Sequence, residues 1–367
     1  MYDMHEQVNI KMIQPYDYIF FLFHCAAIFP LTPDSDASVI ARLFHILLAI
    51  FNAFIISFTF STTLSSALSA KSLILSVSVM LLSMVNILHC LVLVKKINEL
   101  KNTVSILIGL KLHRKSENIG WLKILLTGFI SSLFVMLSLK FIKKDAFFDI
   151  SITFFYGYRF NNISSGVIYT IHNIVTTFFN IMPLMIFAFF YMAVCYDIRC
   201  ILKHFGKTLT NNIKNYDEIL HSYTVIKSTV SQIDDSVNLL VFITIIYNFS
   251  LMCFSLYVVL EPRMFVKPME RFSTGYLFFI SFTLFISMTG LASVVPEVSA
   301  EIGSIASAMP ETVGKSTFSQ QRFIGSAEKD ITLTVWRITS IRRNFIFGII
   351  GIFFTYTLMF YTLNPKS

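Results

Sequence analysis

Residues 345–363 read FIFGIIGIFFTYTLMFYTL, and the pair Arg342-Arg343 stands just before them. These 19 residues carry no charge. That is the length a helix needs to cross a hydrocarbon core of about 30 Å at 1.5 Å per residue. Wound at about 100° per residue, Gly348, Gly351, Thr355 and Thr362 fall in one stripe about 60° wide, flanked by Leu358 and Met359. Phe353 and Phe360 lie on the far side. The stretch is therefore a membrane helix with a narrow face of small and hydroxyl residues and a bulky aromatic back. Two readings of that face stand open. Small residues let helices pack closely in lipid. Threonine hydroxyls can also hydrate a passing ion, with Leu358 or Met359 as a gate that closes by dewetting. One helix cannot enclose a conduit, so the second reading requires an oligomer.

The whole chain shares this character. Of its 367 residues 55% are hydrophobic and only 14% charged, and mean hydropathy is +0.70. A soluble domain carries roughly 25% charged residues. This chain lacks the polar surface to cover a water-soluble body of its size. Scanning back from the last helix for uncharged stretches gives six more spans, near 43–64, 73–94, 122–141, 167–195, 238–260 and 276–295. The third is the shortest, with Ile124–Leu139 closed by Lys123 and Lys140. The fourth contains Pro183. Residues 18–31 are apolar but too short to cross, and lack the basic start and cleavage site of a signal peptide, which predicts a short helix at the interface. The fold class is all-α membrane protein with seven transmembrane helices, in a single domain over 1–367.

The positive-inside rule sets the threading. Of 29 Lys and Arg, 20 fall in 1–42, 95–123, 196–237 and 296–344, and 9 fall on the other side. The N-terminus is thus cytoplasmic and the C-terminus extracellular. The sequon Asn162-Ile163-Ser164 lies in the third loop, on the outer side, where glycosylation of Asn162 is possible. A second sequon, at Asn248, is inside the fifth span and is not expected to be modified. The net charge of +8 reflects basic loops facing anionic lipid rather than nucleic acid. In 196–237, Ile198, Ile201, Leu202, Phe205 and Leu209, then Ile219, Val225, Ile226, Val230 and Ile233, recur at helical spacing, so the fourth and fifth helices extend into the cytoplasm. In 296–344, an anchor region, Pro296 and Pro310 punctuate the start. A helical run is expected from about Thr317 to Ser340.

Catalytic and metal chemistry were sought by motif. Phosphate-binding glycine loops, nucleophile elbows and zinc signatures do not occur. His89-Cys90 has no partner at ligand spacing, and the five cysteines make no disulfide framework. No cofactor or metal is expected, and the chain does not read as an enzyme. The spans hold no Asp, Glu, Lys or Arg, which speaks against an ion-coupled transporter. The inverted threading speaks against a seven-helix receptor that works through a G protein.

Three segments resemble the C-terminal signature of arthropod gustatory receptors: Leu333-Thr334-Val335-Trp336-Arg337, then Arg342-Arg343-Asn344-Phe345, then Thr355 to Leu363. That family ends in Thr-Tyr, five apolar residues and Gln-Phe. Here Thr355-Tyr356 is present, Thr362 replaces the glutamine and Leu363 the phenylalanine. The resemblance covers roughly the last 35 residues, together with span count and inverted threading. It implies a receptor similar to insect odorant receptors in the plasma membrane of chemosensory neurons. It implies a homo- or hetero-tetramer forming a cation channel gated by a small-molecule tastant. The last helix of each subunit would line the pore, with Gly348, Gly351, Thr355, Leu358, Met359, Thr362 and Leu363 along it. It also implies a ligand pocket in the outer half of the helices. There Tyr169, His172, Asn173 and Thr176 share one face of the fourth span, joined by Tyr257 of the fifth and by Tyr276 and Thr283 of the sixth. Aromatic walls with a few hydroxyl and amide groups suit a small amphipathic molecule. The same groups can instead hydrogen-bond between helices.

Threading is directly testable. A tag fused before Met1 should stain only permeabilised cells, and Asn162→Gln should abolish a glycosidase-sensitive mobility shift.

Overall fold

A computed structural model describes residues 16–23, 26, 39–68, 73–111, 124–131, 161–211, 216–260, 268–309 and 318–363. In chain order the helices are α1 (16–23), α2 (Val39–Leu68), α3 (Leu73–Lys111), α4 (124–131) and α5 (Asn162–Val175). A π-helical turn, Thr176–Ile181, leads into α6 (Met182–Asn211). Then come α7 (Tyr216–Leu260), α8 (Pro268–Ser307), α9 (Phe318–Ala327) and α10 (Arg343–Leu363). A two-stranded hairpin, β1 (Thr334–Val335) and β2 (Thr339–Ser340), stands between α9 and α10. Among the described residues five helical stretches are long and apolar enough to cross a membrane: Ala49–Leu68, Ser76–Leu110, Ser164–Thr210, Tyr216–Leu260 and Arg271–Ser307. Arg343–Met359 is a shorter apolar helix. The protein is an all-α membrane protein. The remainder of the expected third span beyond 124–131 lies outside the described residues.

Burial sorts the helices. Every residue from Met182 to Cys195 is buried, so α6 is apolar all round and packed all round, as a central helix must be. On α3, Val77, Leu81, Met84, Leu88 and Leu91 are exposed at alternating steps of four and three. Such a stripe is wetted by lipid, not by water. Asn86, His89, Leu93, Ile97 and Leu100 of the same helix face inward. Of the segment 18–31 expected at the interface, residues 18–23 belong to α1 and, Ala26 apart, the rest lies outside the described residues. One face of α1 is buried in protein, with Tyr16, Ile19, Leu22 and Phe23 covered, while Phe21 is exposed. Tyr16 donates its hydroxyl proton to Asp197 at 2.8 Å, both fully buried, and the rings of Tyr16 and Phe20 meet Phe190 at 6.1 and 6.0 Å. A buried carboxylate without a donor is costly, so this bond fixes the register of α1 on α6.

The helix α7 has 45 residues, about 67 Å at 1.5 Å per residue, roughly twice the hydrocarbon thickness. Its first half carries Asp217, Glu218, Lys227, Asp234 and Asp235, which identifies the end that leaves the membrane. There the core continues: Phe205 of α6, Tyr223 of α7 and Phe323 of α9 meet at centroid distances of 5.6 to 6.4 Å. Lys227 donates to the carbonyls of Ser326 and Lys329 at 2.8 and 3.0 Å and so caps the end of α9.

Two expectations for 296–344 are corrected. Pro296 lies inside the continuous α8 rather than ending a helix. Packing on both sides, with Ala292 and Val295 fully buried, holds the helix through the missing bond. The helical run expected to Ser340 stops at Ala327, and residues 334–340 form the hairpin, with Thr334 paired to Ser340 and Val335 to Thr339. Their side chains are mostly β-branched, which suits a strand better than a helix.

Close approach is greatest at Gly303. A Cβ there would stand 2.9 Å from the carbonyl oxygen of Ala327, which is backbone and cannot swing away. Gly303→Ala should push α9 off α8, at a cost of about 1–3 kcal/mol. A lower melting temperature of the detergent-solubilised protein would show it.

Candidate functional site

The last helix shows which way its two faces point. Phe353 is buried and meets Phe249 of α7 at 6.4 Å and Phe278 of α8 at 5.9 Å. Phe345, Ile346 and Ile349 are partly buried on the same core. The small-residue stripe points away from it: Gly348, Gly351, Thr355 and Thr362 are all exposed, as are Tyr356, Leu358 and Met359. A Cβ placed on Gly348 or Gly351 would have nothing within 4 Å. Among the described residues nothing packs on these glycines, so this face is open to a partner. Thr355 donates its hydroxyl proton to the Gly351 carbonyl at 2.9 Å, and Thr362 to those of Leu358 and Met359 at 3.0 Å. With the proton turned inward, each oxygen keeps its lone pairs outward, as an acceptor for water or a cation. The side chain of Leu363 lies outside the described residues.

The candidate pocket centres on the end of α5. His172 and Thr176 lie 3.5 Å apart, Nε2 to Oγ1, and the His172 ring faces Phe58 of α2 at 6.2 Å. Asn173 is buried. Just below, the helix widens into the π turn Thr176–Ile181, where the Met182 N–H reaches Thr177 O. Pro183 explains it. Proline has no N–H for the carbonyl of Phe179, so the ladder must shift. The thiol of Cys90 on α3 instead approaches the Phe179 oxygen at 3.6 Å. The sequence shows Pro183 inside the fourth span but not the form the backbone takes before it. Single-turn π bulges are frequent at functional sites.

Tyr257 and Tyr276 are half-buried near the adjoining ends of α7 and α8, where Gly275 faces Val259. Thr283 is exposed, so it does not line the interior with the others. The sequence placed it by its depth in the sixth span, which does not say which face of the helix it occupies. The side chains of Tyr169 and Asn162 lie outside the described residues. Asn248 is buried and donates to the Thr244 carbonyl at 3.0 Å, in keeping with an unmodified sequon.

Sequence reasoning did not pair the charged residues around the first turn of α10. In the structure Arg342 pairs with Asp330 at 2.9 Å and Arg343 donates to Glu297 of α8 at 2.7 Å. Arg337 donates to Asp235 of α7 through Nε at 3.1 Å. Hydrogen bonding and charge from Asp235 raise the Arg337 guanidinium above its ordinary value, and Glu297 does the same for Arg343. Among the described residues no group of three or more His, Cys, Asp or Glu could hold a metal.

The fold and this site define an all-α membrane bundle whose terminal helix turns a small-and-hydroxyl face outward. No family model and no curated protein sequence matches the chain. Two solved structures share its fold: the insect olfactory receptor OR5 from Machilis hrabei, and the same receptor in complex with eugenol. Each aligns at 14% identity with a TM-score of 0.70, covering 97% of this chain and 100% of that one.

The environment of α10 can be read by cysteine substitution. Gly351→Cys and Thr355→Cys should react with a charged, membrane-impermeant thiol reagent, while Phe353→Cys, buried against α7 and α8, should not.

Proposed function

We propose that this chain is a subunit of a chemosensory receptor that is itself an ion channel, opened by a small molecule bound in the outer half of its helices. The observation that carries this reading is the exposed small-and-hydroxyl face of α10, with nothing among the described residues over Gly348 and Gly351. Four such helices around an axis would turn Thr355 and Thr362 toward water, with Leu358 and Met359 as the narrow apolar ring. The assembly is taken as a homo- or hetero-tetramer in the plasma membrane, and cations as the permeant species, because the lining offers neutral oxygen acceptors. The fold shared with an olfactory receptor supports the chemosensory role, and the sequence signature at Thr355-Tyr356 favours taste within it.

The ligand would be a tastant of small, neutral, amphipathic character. His172, Asn173 and Thr176 offer donors and acceptors beside Phe58, and Tyr257 and Tyr276 add aromatic walls. The fold neighbour's complex with eugenol, a phenol, is of the same chemical kind. Binding opens the channel only to the extent that the pocket holds the ligand more tightly in the open state.

The test is heterologous expression with ionic current recorded under G-protein blockade, while a panel including eugenol is applied. Ligand-evoked current is the expected result; surface protein that stays silent to the panel counts against the reading. Thr362→Gln should shift reversal potential or open probability with surface expression intact. Asn173→Ala should move the half-maximal concentration by about tenfold, the effect of losing about 1.4 kcal/mol, and leave maximal current in place.

A further inference from the structure

The chain reaches α10 through the hairpin 334–340, and that hairpin is held against one stretch of α7. Thr334 donates its N–H to Asp234 at 2.8 Å and its hydroxyl to the other carboxylate oxygen at 2.5 Å. The Trp336 N–H reaches the carbonyl of Asn238 at 3.3 Å, and its ring lies on Phe242 at 4.9 Å. Arg337 holds Asp235. Asp234, Asp235, Asn238 and Phe242 thus form a continuous seat along two turns of α7, of which Asp234 and Asn238 are buried. Three residues past β2 the helix α10 begins, and its first residue, Arg343, is tied to Glu297 of α8.

The turn itself is an unfavourable one. Trp336 and Arg337 have φ of 48° and 56°, and the turn closes with the Ile338 N–H on the Val335 carbonyl. Two consecutive left-handed residues are a place for Asn-Gly, not for a tryptophan and an arginine. Such a conformation persists only where its surroundings over-determine it. Here the seat on α7 does so, and only these two large side chains reach Phe242 and Asp235.

We propose that the hairpin is a coupling clamp: it carries displacement of the cytoplasmic half of α7 to the first turn of α10, with Asp234 and Trp336 as positioning residues for the gate. This rests on the channel reading above. A hairpin that merely fastened two helices would affect stability alone. A clamp also sets the conformation of a helix face that begins well beyond it.

The experiment reads that face in the full-length receptor at the cell surface. Thr355→Cys is labelled with a charged methanethiosulfonate reagent, with and without Trp336→Ala, Asp234→Ala or Trp336→Phe. Trp336→Ala and Asp234→Ala should each change the labelling rate by about fivefold or more, the smallest coupling usually counted as allosteric, at equal surface protein. Trp336→Phe should restore the parental rate by restoring a ring on Phe242. If Trp336→Ala fails to reach the surface, Trp336→Asn/Arg337→Gly decides by the same readout, since it suits the turn while removing both side-chain holds. Unchanged labelling in these variants overturns the clamp, as does a Thr355→Cys that resists the reagent in every background. A receptor that never conducts but whose labelling shifts would sink the channel reading and keep the clamp. A conducting receptor with unchanged labelling and current would do the reverse.

Discussion

Hydrocarbon offers no hydrogen bonds, and that constraint shapes nearly everything in this molecule. Each backbone N–H and C=O within the membrane must find its partner inside the protein, so the spans are helices. Polar side chains obey the same rule locally. Thr62 donates to the Phe58 carbonyl, Thr244 to Leu240, Asn248 to Thr244 and Thr289 to Phe285, each one turn back along its own helix. These bonds let hydroxyls and amides sit in an apolar bundle at little cost. Where proline removes a donor, at Pro183, the helix widens into a π turn and a thiol from the neighbouring helix moves up to the carbonyl left over.

The bilayer also divides the energetics into two regimes. Within it, helix association gains little from the hydrophobic effect, because lipid tails are as apolar as leucine. Shape and ring packing must serve instead, which fits the stack of Phe187, Phe190 and Tyr191 inside α6 and the rings meeting Phe353. Beyond it, water restores the hydrophobic effect. The cluster of Phe205, Tyr223 and Phe323 buries three aromatic side chains there, at about 25 cal/mol per Å² of apolar surface. The exposed ion pairs around it add little energy one by one. Their contribution is to orientation, since each joins different segments.

The parts of this architecture that depend on length and composition were legible in the sequence. The apolar stretches at 43–64, 73–94, 167–195, 238–260 and 276–295 fall within long helices, and the continuation of α6 and α7 past their apolar spans follows the spacing of Ile198 to Leu209 and Ile219 to Ile233. What periodicity cannot supply is direction. Thr283 was placed by its depth in the sixth span and is exposed, because depth does not say which face of the helix a residue occupies. On α10 the stripe of Gly348, Gly351, Thr355 and Thr362 was plain, but only the packing of Phe353 shows that it turns away from its own chain. The hairpin was hidden for a different reason. Ile331, Leu333, Val335, Ile338 and Ile341 are compatible with a helical period, and the left-handed turn carries neither glycine nor asparagine to announce it. Its conformation is imposed by Asp234 and Phe242, which are about 100 residues away in the sequence.

The length of α7 gives these contacts mechanical meaning. A stiff rod of about 67 Å pivoting by 5° at one end sweeps its other end through about 6 Å, more than a full helical turn. Any change that parts a few side chains near Tyr257 acts with the advantage of a long lever. A small angular change at that end of α7 arrives at the other as a stroke large enough to drag a neighbouring helix.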